Sequence, residues 1–367
     1  MPELADIIRR HGPEYLAHYQ DRMLPSHRRV LAAIGACRTA QLGGHVYLCS
    51  PCQQRQYPYH SCKNRHCPKC QNPQATRWLE RQRRWLLPTP YFLATFTLPA
   101  GLRPLARSHQ KLLYGCLFQA AAQALHKLAR DSRFVGGQIG MMAVLQTWTR
   151  DLRYHPHLHC LIPGGGITAK RRWRFSEKNF FLPATALSPL FRTKFRDALK
   201  KTHLFSLAPS HVWKQDWVVD CRPAGHGLSV LKYFAPYIYR VALSNRRLLS
   251  LDNGQVRFQF RDRQSGQQQI ATLPAPVFLS RFLQHVLPEG FVKVRYYGFL
   301  HPKNRKLFET VLLALGGNPR PALAGLQPVG DGEGEGSSFS CKTPSCPRCR
   351  RPMILLETLL PAQPGPP

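Results

Sequence analysis

Up to residue 36 the apolar positions recur at the three- and four-residue spacing of amphipathic helices. This predicts short helices over 3–10 and 14–22, broken at Gly12-Pro13, and a third over 25–36 that opens on Pro25-Ser26. Over residues 37–70 the periodicity stops: six cysteines, three histidines and many basic and aromatic residues replace any long apolar stripe, so this segment needs a fastening other than a core. From residue 91 the spacing changes again. "YFLATFTL", "GMMAVLQTWT" and "HLHCLI" read as strands, with a helix across 103–130 between the first two. Ser188-Pro189 reads as an N-cap and first-turn proline of a helix that closes on Lys200-Lys201. "WVVDC" at 217–221 and "QVRFQF" at 255–260 read as further strands, with helices near 229–239 and 274–287, and Gly164, Gly165 and Gly166 as a turn. Strands and helices without regular alternation predict an α+β fold rather than a doubly wound sheet.

Residues 318–340, "NPRPALAGLQPVGDGEGEGSSFS", have linker composition and set off a short cysteine-containing tail. The expected organisation is a helical segment over 1–36, a metal module over 37–75, a larger domain over 85–317, the linker, and the tail over 341–367. Charge then narrows the class of partner. Fifty-two Lys and Arg face nineteen Asp and Glu, a formal net charge of +33 with no basic block long enough to carry the excess as a tail. A field of that size spread over folded surface suits a polyanion, because each neutralised phosphate releases condensed counterions. The opening residues carry Glu3 and Asp6 and no apolar core of signal-peptide length, and no stretch reaches the ~20 apolar residues of a membrane span, so a cytoplasmic location is expected.

In a reducing compartment clustered cysteines point to metal. Cys49-Ser-Pro-Cys52 and Cys67-Pro-Lys-Cys70 are two knuckles fourteen residues apart, and two knuckles fill the four positions of a tetrahedral structural zinc. Cys37, His45, Cys62 and His66 offer a second set of ligand type, although the two histidines also suit a surface. Arg65 and Lys69, among the basic and aromatic residues here, suit a nucleic-acid surface. The tail's Cys341, Cys346 and Cys349 are either a half-site completed from elsewhere or a remnant.

If "HLHCLI" is a strand, its period of two puts His157 and His159 on one face about 7 Å apart by the ~3.3 Å rise per residue. A hairpin return could bring Gln146 beside them. Two imidazoles and an amide oxygen leave coordination positions open, which suits Mg or Mn acting on a phosphate; the plainer alternative is the polar side of a sheet. In "YFAPYIYR", Tyr233 and Tyr237 stand four apart, on one face of a helix, either as packing or as two hydroxyls that visit one centre. Pro236 lies between them and is comfortable only in a first turn. A helix beginning near Ala235 would put Tyr233 on its entry and make Tyr237 the safer primary nucleophile.

"HPHLHC" resembles the His-hydrophobic-His motif of the HUH nucleases, and "YFAPY" the two-tyrosine motif of the rolling-circle transposases of the insertion sequence 91 family. "ACRTAQLGGHVYLC" through "SCKNRHCPKCQ" resembles that family's zinc module, and "RVALSNRRLL" and "FLQHVLPEGFVKVRYYGFL" its segments after the tyrosines. The resemblance implies an antiparallel sheet flanked by helices and a transesterase acting on single-stranded DNA at transposon ends and on target DNA. In it a divalent ion on His157, His159 and Gln146 polarises the scissile phosphate, and Tyr233 and Tyr237 carry 5′-phosphotyrosine links. The absence of a GxxxxGK[ST] sequence agrees with chemistry that needs no ATP. Arg246 and Arg247 are candidate DNA contacts. A rolling-circle replication initiator and a non-catalytic zinc-ribbon DNA-binding protein are the alternative readings.

Overall fold

The computed structural model describes residues 1–19, 22–239, 241–262, 265–317 and 343–362, without the side chains of 72–77, 81, 84, 235–237 and 239. The expected linker 318–340 and Cys341 lie outside the described residues. The chain divides into two compact units, one of Met1–Pro73, Leu243–Val286 and the tail, the other of Gln74–Ala242 and the segment that begins at Leu287 and ends before the tail. Residues 243–286, which sequence assigns to the larger domain, therefore group with the cysteine-rich module.

The first unit begins with α1 (Leu4–Tyr19) and α2 (Pro25–Gly35). Pro13 lies inside α1 rather than ending it. The buried stripe Leu4, Ala5, Ile7, Ile8, Gly12 and Tyr15 runs through the proline, and packing of that stripe outweighs the one hydrogen bond that proline removes. Next come β1 (Gly44–Cys49), β2 (Gln54–Gln56) and α3 (Pro68–Gln82), within which the unit boundary falls.

The second unit carries β3 (Pro90–Thr97), α4 (Arg103–Ser108), α5 (Gln110–Ala129), β4 (Gly140–Trp148) and β5 (Tyr154–Pro163). The single helix expected over 103–130 is thus two, because His109 leaves helical geometry at φ −126°. The glycine run is not only a turn: β6 (Gly165–Ile167) pairs with β7 (Trp173–Phe175). α6 (Ala184–Lys200) starts a turn before Ser188, whose hydroxyl donates to the carbonyl of Trp217 instead of capping the helix. β8 (Val219–His226) leads into α7 (Gly227–Tyr239).

β9 (Leu248–Asp252), β10 (Gln255–Arg261), β11 (Gln268–Pro274) and α8 (Ala275–Leu283) belong to the first unit, where α8 packs on α1 and on β10 and β11. β12 (Val294–Gly298) and α9 (Arg305–Ala314) return to the second, and β13 (Ile354–Leu359) closes the first.

A five-stranded antiparallel sheet, in the order β12-β4-β5-β3-β8, organises the second unit, as expected for an α+β fold with flanking helices. Alternation sorts its residues. Phe92, Ala94 and Phe96 of β3, and Leu98 just after it, face the large core with α5 and α6, where Phe96 meets Phe191 at 4.9 Å. Tyr91 and Leu93 face the other way, with Met142, Val144 and Leu161, and pack against Val230, Leu231, Phe234 and Ile238 of α7. The sheet thus has one face closed by α5 and α6 and one face on which α7 lies. No helix among the described residues is long and apolar enough to cross a membrane.

Candidate functional site

The polar residues of interest lie on the α7 side of the sheet, toward one end of the strands. Gln146 pairs across the ladder with His157, His157 with Thr97, His159 with Thr95, and Thr95 with Asp220. Residues directly opposite in an antiparallel pair share a face, so register brings β4, β5, β3 and β8 to one polar patch. The imidazole rings of His157 and His159 stand 4.8 Å apart, edge to face, closer than the backbone rise predicts because the rings lean together. His157 Nδ1 donates to the carbonyl of His155 at 2.7 Å, and His159 Nδ1 meets Thr95 Oγ1 at 3.3 Å. These contacts engage Nδ1 of both rings. Burial, then His157, then Arg222 hold the His159 pKa well below its ordinary value, which favours the neutral ring. His155, third in the alternation, faces Arg103, whose Nη2 lies 2.8 Å from its Nδ1.

α7 begins at Gly227, six residues before Tyr233, so both tyrosines lie within it and Pro236 does not mark its start. This removes the ground for preferring Tyr237. Tyr233 is partly exposed, and its hydroxyl accepts a hydrogen bond from Arg222 Nη2 at 3.1 Å. Tyr237 lies one turn further along the helix, and its side chain is outside the described residues. Arg222 and Asp220 alternate along β8, with Arg222 Nε 3.8 Å from Asp220 Oδ2. Arg222 thus touches the tyrosine and acts electrostatically on His159, yet sequence reasoning passed over it. The signal was present: two charges at a spacing of two directly after the apolar run "WVV".

The cysteines sort differently from the sequence expectation. Cys67 and Cys70 do not share a centre with Cys49 and Cys52; they gather with Cys37 and Cys62, while Cys49 and Cys52 gather with Cys346 and Cys349 of the tail. Within each group all four sulfurs lie within 4.8 Å of one another. His45 and His66 are in neither. His45 stacks edge-on to His60 at 5.0 Å, and the backbone N–H of His66 donates to Asn64 Oδ1. The reason is directional: one knuckle closes the end of β1 and the other opens α3, with Pro68 in its first turn, and they aim at separate points.

In the first group Cys37 and Cys70 sulfurs are 3.7 Å apart, Cys62 and Cys70 3.6 Å, and Cys37 and Cys67 3.7 Å. A tetrahedral zinc with ~2.3 Å bonds to sulfur has an edge of about 3.8 Å, so the donors fit that ion and leave no position open for water. Crowding also acts on the thiols. Hydrogen bonds from Cys62 and Cys67 push the Cys70 thiol down to about 2, while Cys62 is pushed up by its hydrogen bonds to Cys67 and Cys70. Four thiolates this close together require a dication between them. The residues after Cys37 and Cys62, Arg38 and Lys63, adopt left-handed backbone at φ 57° and 53°, a cost that side-chain ligation offsets.

Of the candidate DNA contacts, Lys69 is engaged with Glu3, its Nζ 2.5 Å from Oε2. Arg247 donates through Nε to the carbonyl of Gln259 and lies over the ring of Phe258, which makes it part of the β10 packing. Arg246 is exposed, and Arg65 is half-buried.

The sheet thus presents a polar patch with a histidine pair and a tyrosine beside an arginine, and the first unit carries two clusters of four cysteines. A family model described as "Transposase zinc-binding domain" matches residues 7–98, and one described as "Putative transposase" matches residues 140–307. The chain is 43% identical over 328 residues to "Putative transposase y4qJ" of Sinorhizobium fredii, covering 83% of this chain and 82% of that one. It is 29% identical over 316 residues to the transposase for insertion sequence element IS801 of Pseudomonas savastanoi pv. phaseolicola, covering 78% and 74%. The chain belongs to the insertion sequence 91 family of transposases, with an N-terminal zinc-binding domain. No solved structure matches it.

Proposed function

We propose that this transposase nicks and rejoins single-stranded DNA at the ends of its element and at the target through a 5′-phosphotyrosine intermediate. The observation that carries the reading is the hydrogen bond from Arg222 to the hydroxyl of Tyr233, on the sheet face that holds His157, His159 and Gln146. A phenol is a weak nucleophile and has to be held and oriented at the scissile phosphate, and the Arg222 guanidinium fixes its oxygen on this face. Tyr233 Oη attacks the scissile phosphorus, the new O–P bond replaces the bond to the 3′ oxygen, and that oxygen leaves as a 3′-OH. The tyrosine's proton passes to solvent, and solvent returns one to the leaving 3′ oxygen. Attack by a 3′-OH on the phosphotyrosine restores the tyrosine, so the energy of the phosphodiester is conserved without ATP.

His157, His159 and Gln146 would hold Mg or Mn, and such an ion supplies Lewis-acid polarisation of the scissile phosphate. Thr95 and the carbonyl of His155 set the orientation of the two rings. Tyr237 is the second tyrosine and serves the second strand transfer. The excess of basic residues draws the DNA to the protein, and Arg65 and Arg246 are the retained candidates for phosphate contact.

The test is a cleavage assay on single-stranded oligonucleotides from the element's ends with Mn, scored for a protein–DNA adduct that survives denaturation. Wild type forms it, Tyr233→Phe and His157→Ala lose it, and Arg222→Met slows it by about 10²-fold, the scale for one removed charge-stabilising donor. An adduct unchanged in the Tyr233→Phe/Tyr237→Phe double variant would sink the tyrosine mechanism, and no adduct from wild type would favour DNA binding without catalysis.

A further inference from the structure

We propose that Cys49, Cys52, Cys346 and Cys349 form a second structural zinc site that clasps the C-terminal tail onto β1. The site goes beyond the zinc-binding segment of the family model, which ends at residue 98, and joins sulfurs that are 300 residues apart in the chain. It does not rest on the tyrosine chemistry.

Three observations converge on it. The first is the donor set. All four sulfurs lie within 4.8 Å of one another, all four cysteines are free thiols, and Cys49 and Cys349 stand 3.5 Å apart, near the ~3.8 Å edge of a zinc tetrahedron.

The second is the backbone. Among the described residues eight non-glycine positions have left-handed φ, and four of them directly follow a clustered cysteine: Arg38, Gln53, Lys63 and Arg350. Gln53 at 51° and Arg350 at 60° follow the second cysteine of each knuckle of the proposed site and repeat the device used around Cys37 and Cys62. Neither has the freedom of glycine, so the same ligand-imposed turn recurs at both groups. In the tail knuckle the turn is tied by Arg350 N–H to the carbonyl of Cys346 and by Cys346 N–H to the carbonyl of Arg351, each at 2.8 Å.

The third is the seat prepared for the tail. β13 pairs antiparallel with β1 from Gly44 opposite Leu359 to Leu48 opposite Ile354. Gly43, at φ 68°, sits so close beneath the tail that a Cβ there would lie 2.4 Å from the carbonyl oxygen of Leu359. His45 Nδ1 reaches Thr358 Oγ1 at 3.3 Å, and Met353 and Cys346 bury against Tyr47 and Cys49. Yet Ile354, Leu355 and Leu356 are about half exposed, so apolar burial contributes little to holding β13. The ladder and four sulfurs remain as the fastening, and the sulfurs need a cation to ionise together. A filled tetrahedron has no open position, so the site is structural rather than catalytic.

The test is the zinc content of the full-length chain, purified without added metal, by mass spectrometry of the metal. Two zinc ions per wild-type chain, one in Cys346→Ser/Cys349→Ser and one in Cys62→Ser/Cys70→Ser are expected. One ion in wild type, or two in the tail variant, overturns the proposal. If the tail variant does not fold, the wild-type chain loaded with Co in place of Zn decides it. Two Co per chain with four sulfurs around each by X-ray absorption supports the clasp, and one Co per chain, or a disulfide between these cysteines in the intact mass, rejects it. No readout involves DNA, so failure here and failure of the tyrosine mechanism are separable.

Discussion

The sheet of the second unit and the cysteine module of the first are held by different physics. The sheet is closed on one side by α5 and α6 and carries α7 on the other, with Phe96, Phe118, Phe191 and Phe195 fully enclosed. The sheet of β13, β1 and β2 and the tail turn beside it bury little beyond Val46, Tyr47, Met353 and the sulfurs, and the backbone turns through left-handed residues after four of the clustered cysteines. Where apolar area is large, many weak contacts cooperate and each residue's placement follows from its neighbours in the strand. Where it is small, a few strong bonds to metal do the same task, and placement depends on which distant ligands share an ion. The candidate site follows the division: its histidines, Gln146 and Arg222 stand on the sheet, while the module carries the two cysteine clusters.

The largest expected effect separates the two directly. Stripping zinc from the full-length chain with a tight chelator removes on the order of 10 kcal/mol of metal-linked folding free energy from the module. Hydrogen exchange should then accelerate through β1, β2 and β13 while β3, β4 and β5 stay protected; loss of protection in both regions would break the comparison. Conversely, Phe96→Ala opens the large core and should cost the sheet unit about 3–5 kcal/mol in urea unfolding, with zinc content unchanged.

A smaller effect is a pH dependence confined to the sheet unit. Burial, and then Arg130, lower the pKa of His126 on α5 below its ordinary 6.5. The unfolded chain therefore takes up the proton first as pH falls, so this contribution is intact above about 6.5 and is lost as pH drops toward the folded value. Thermal melts between pH 5 and 8 should show a shallower slope for His126→Gln than for wild type. Smallest is the backbone of the module. Gln53→Gly relieves a left-handed residue and should stabilise by under ~1 kcal/mol, whereas Gln53→Val should destabilise and weaken metal retention in a chelator competition.

Much of the sheet unit is legible in one dimension. The runs at β3, β4 and β5 alternate or are wholly apolar, and the prediction that His157 and His159 share a face with Gln146 needs only the period of a strand and one hairpin. Arg222 is harder to see, because its importance comes from lying across β3 from the histidines and beneath α7, a relation that only the strand order β5-β3-β8 creates. Helix ends were misjudged where packing overrode a local rule. Pro13 and Pro189 both sit inside helices whose buried faces continue past them, and Ser188 bonds to Trp217 instead of capping.

By itself the sequence determined the kind of chemistry available. It carries paired thiol knuckles, alternating histidines, tyrosines a helical turn apart and a charge of +33, and these are covalent facts of residue type and near spacing. Only the tertiary structure decided how they combine. It drew Cys346 and Cys349 to Cys49 and Cys52, gave Cys37 and Cys62 to Cys67 and Cys70, and moved residues 243–286 to the module. The physical reason is range. Periodicity and turn propensity act over a few residues, whereas ligation and strand pairing join whatever the folded chain brings within a few ångströms, and separation along the sequence enters only weakly, through the entropy of closing the loop.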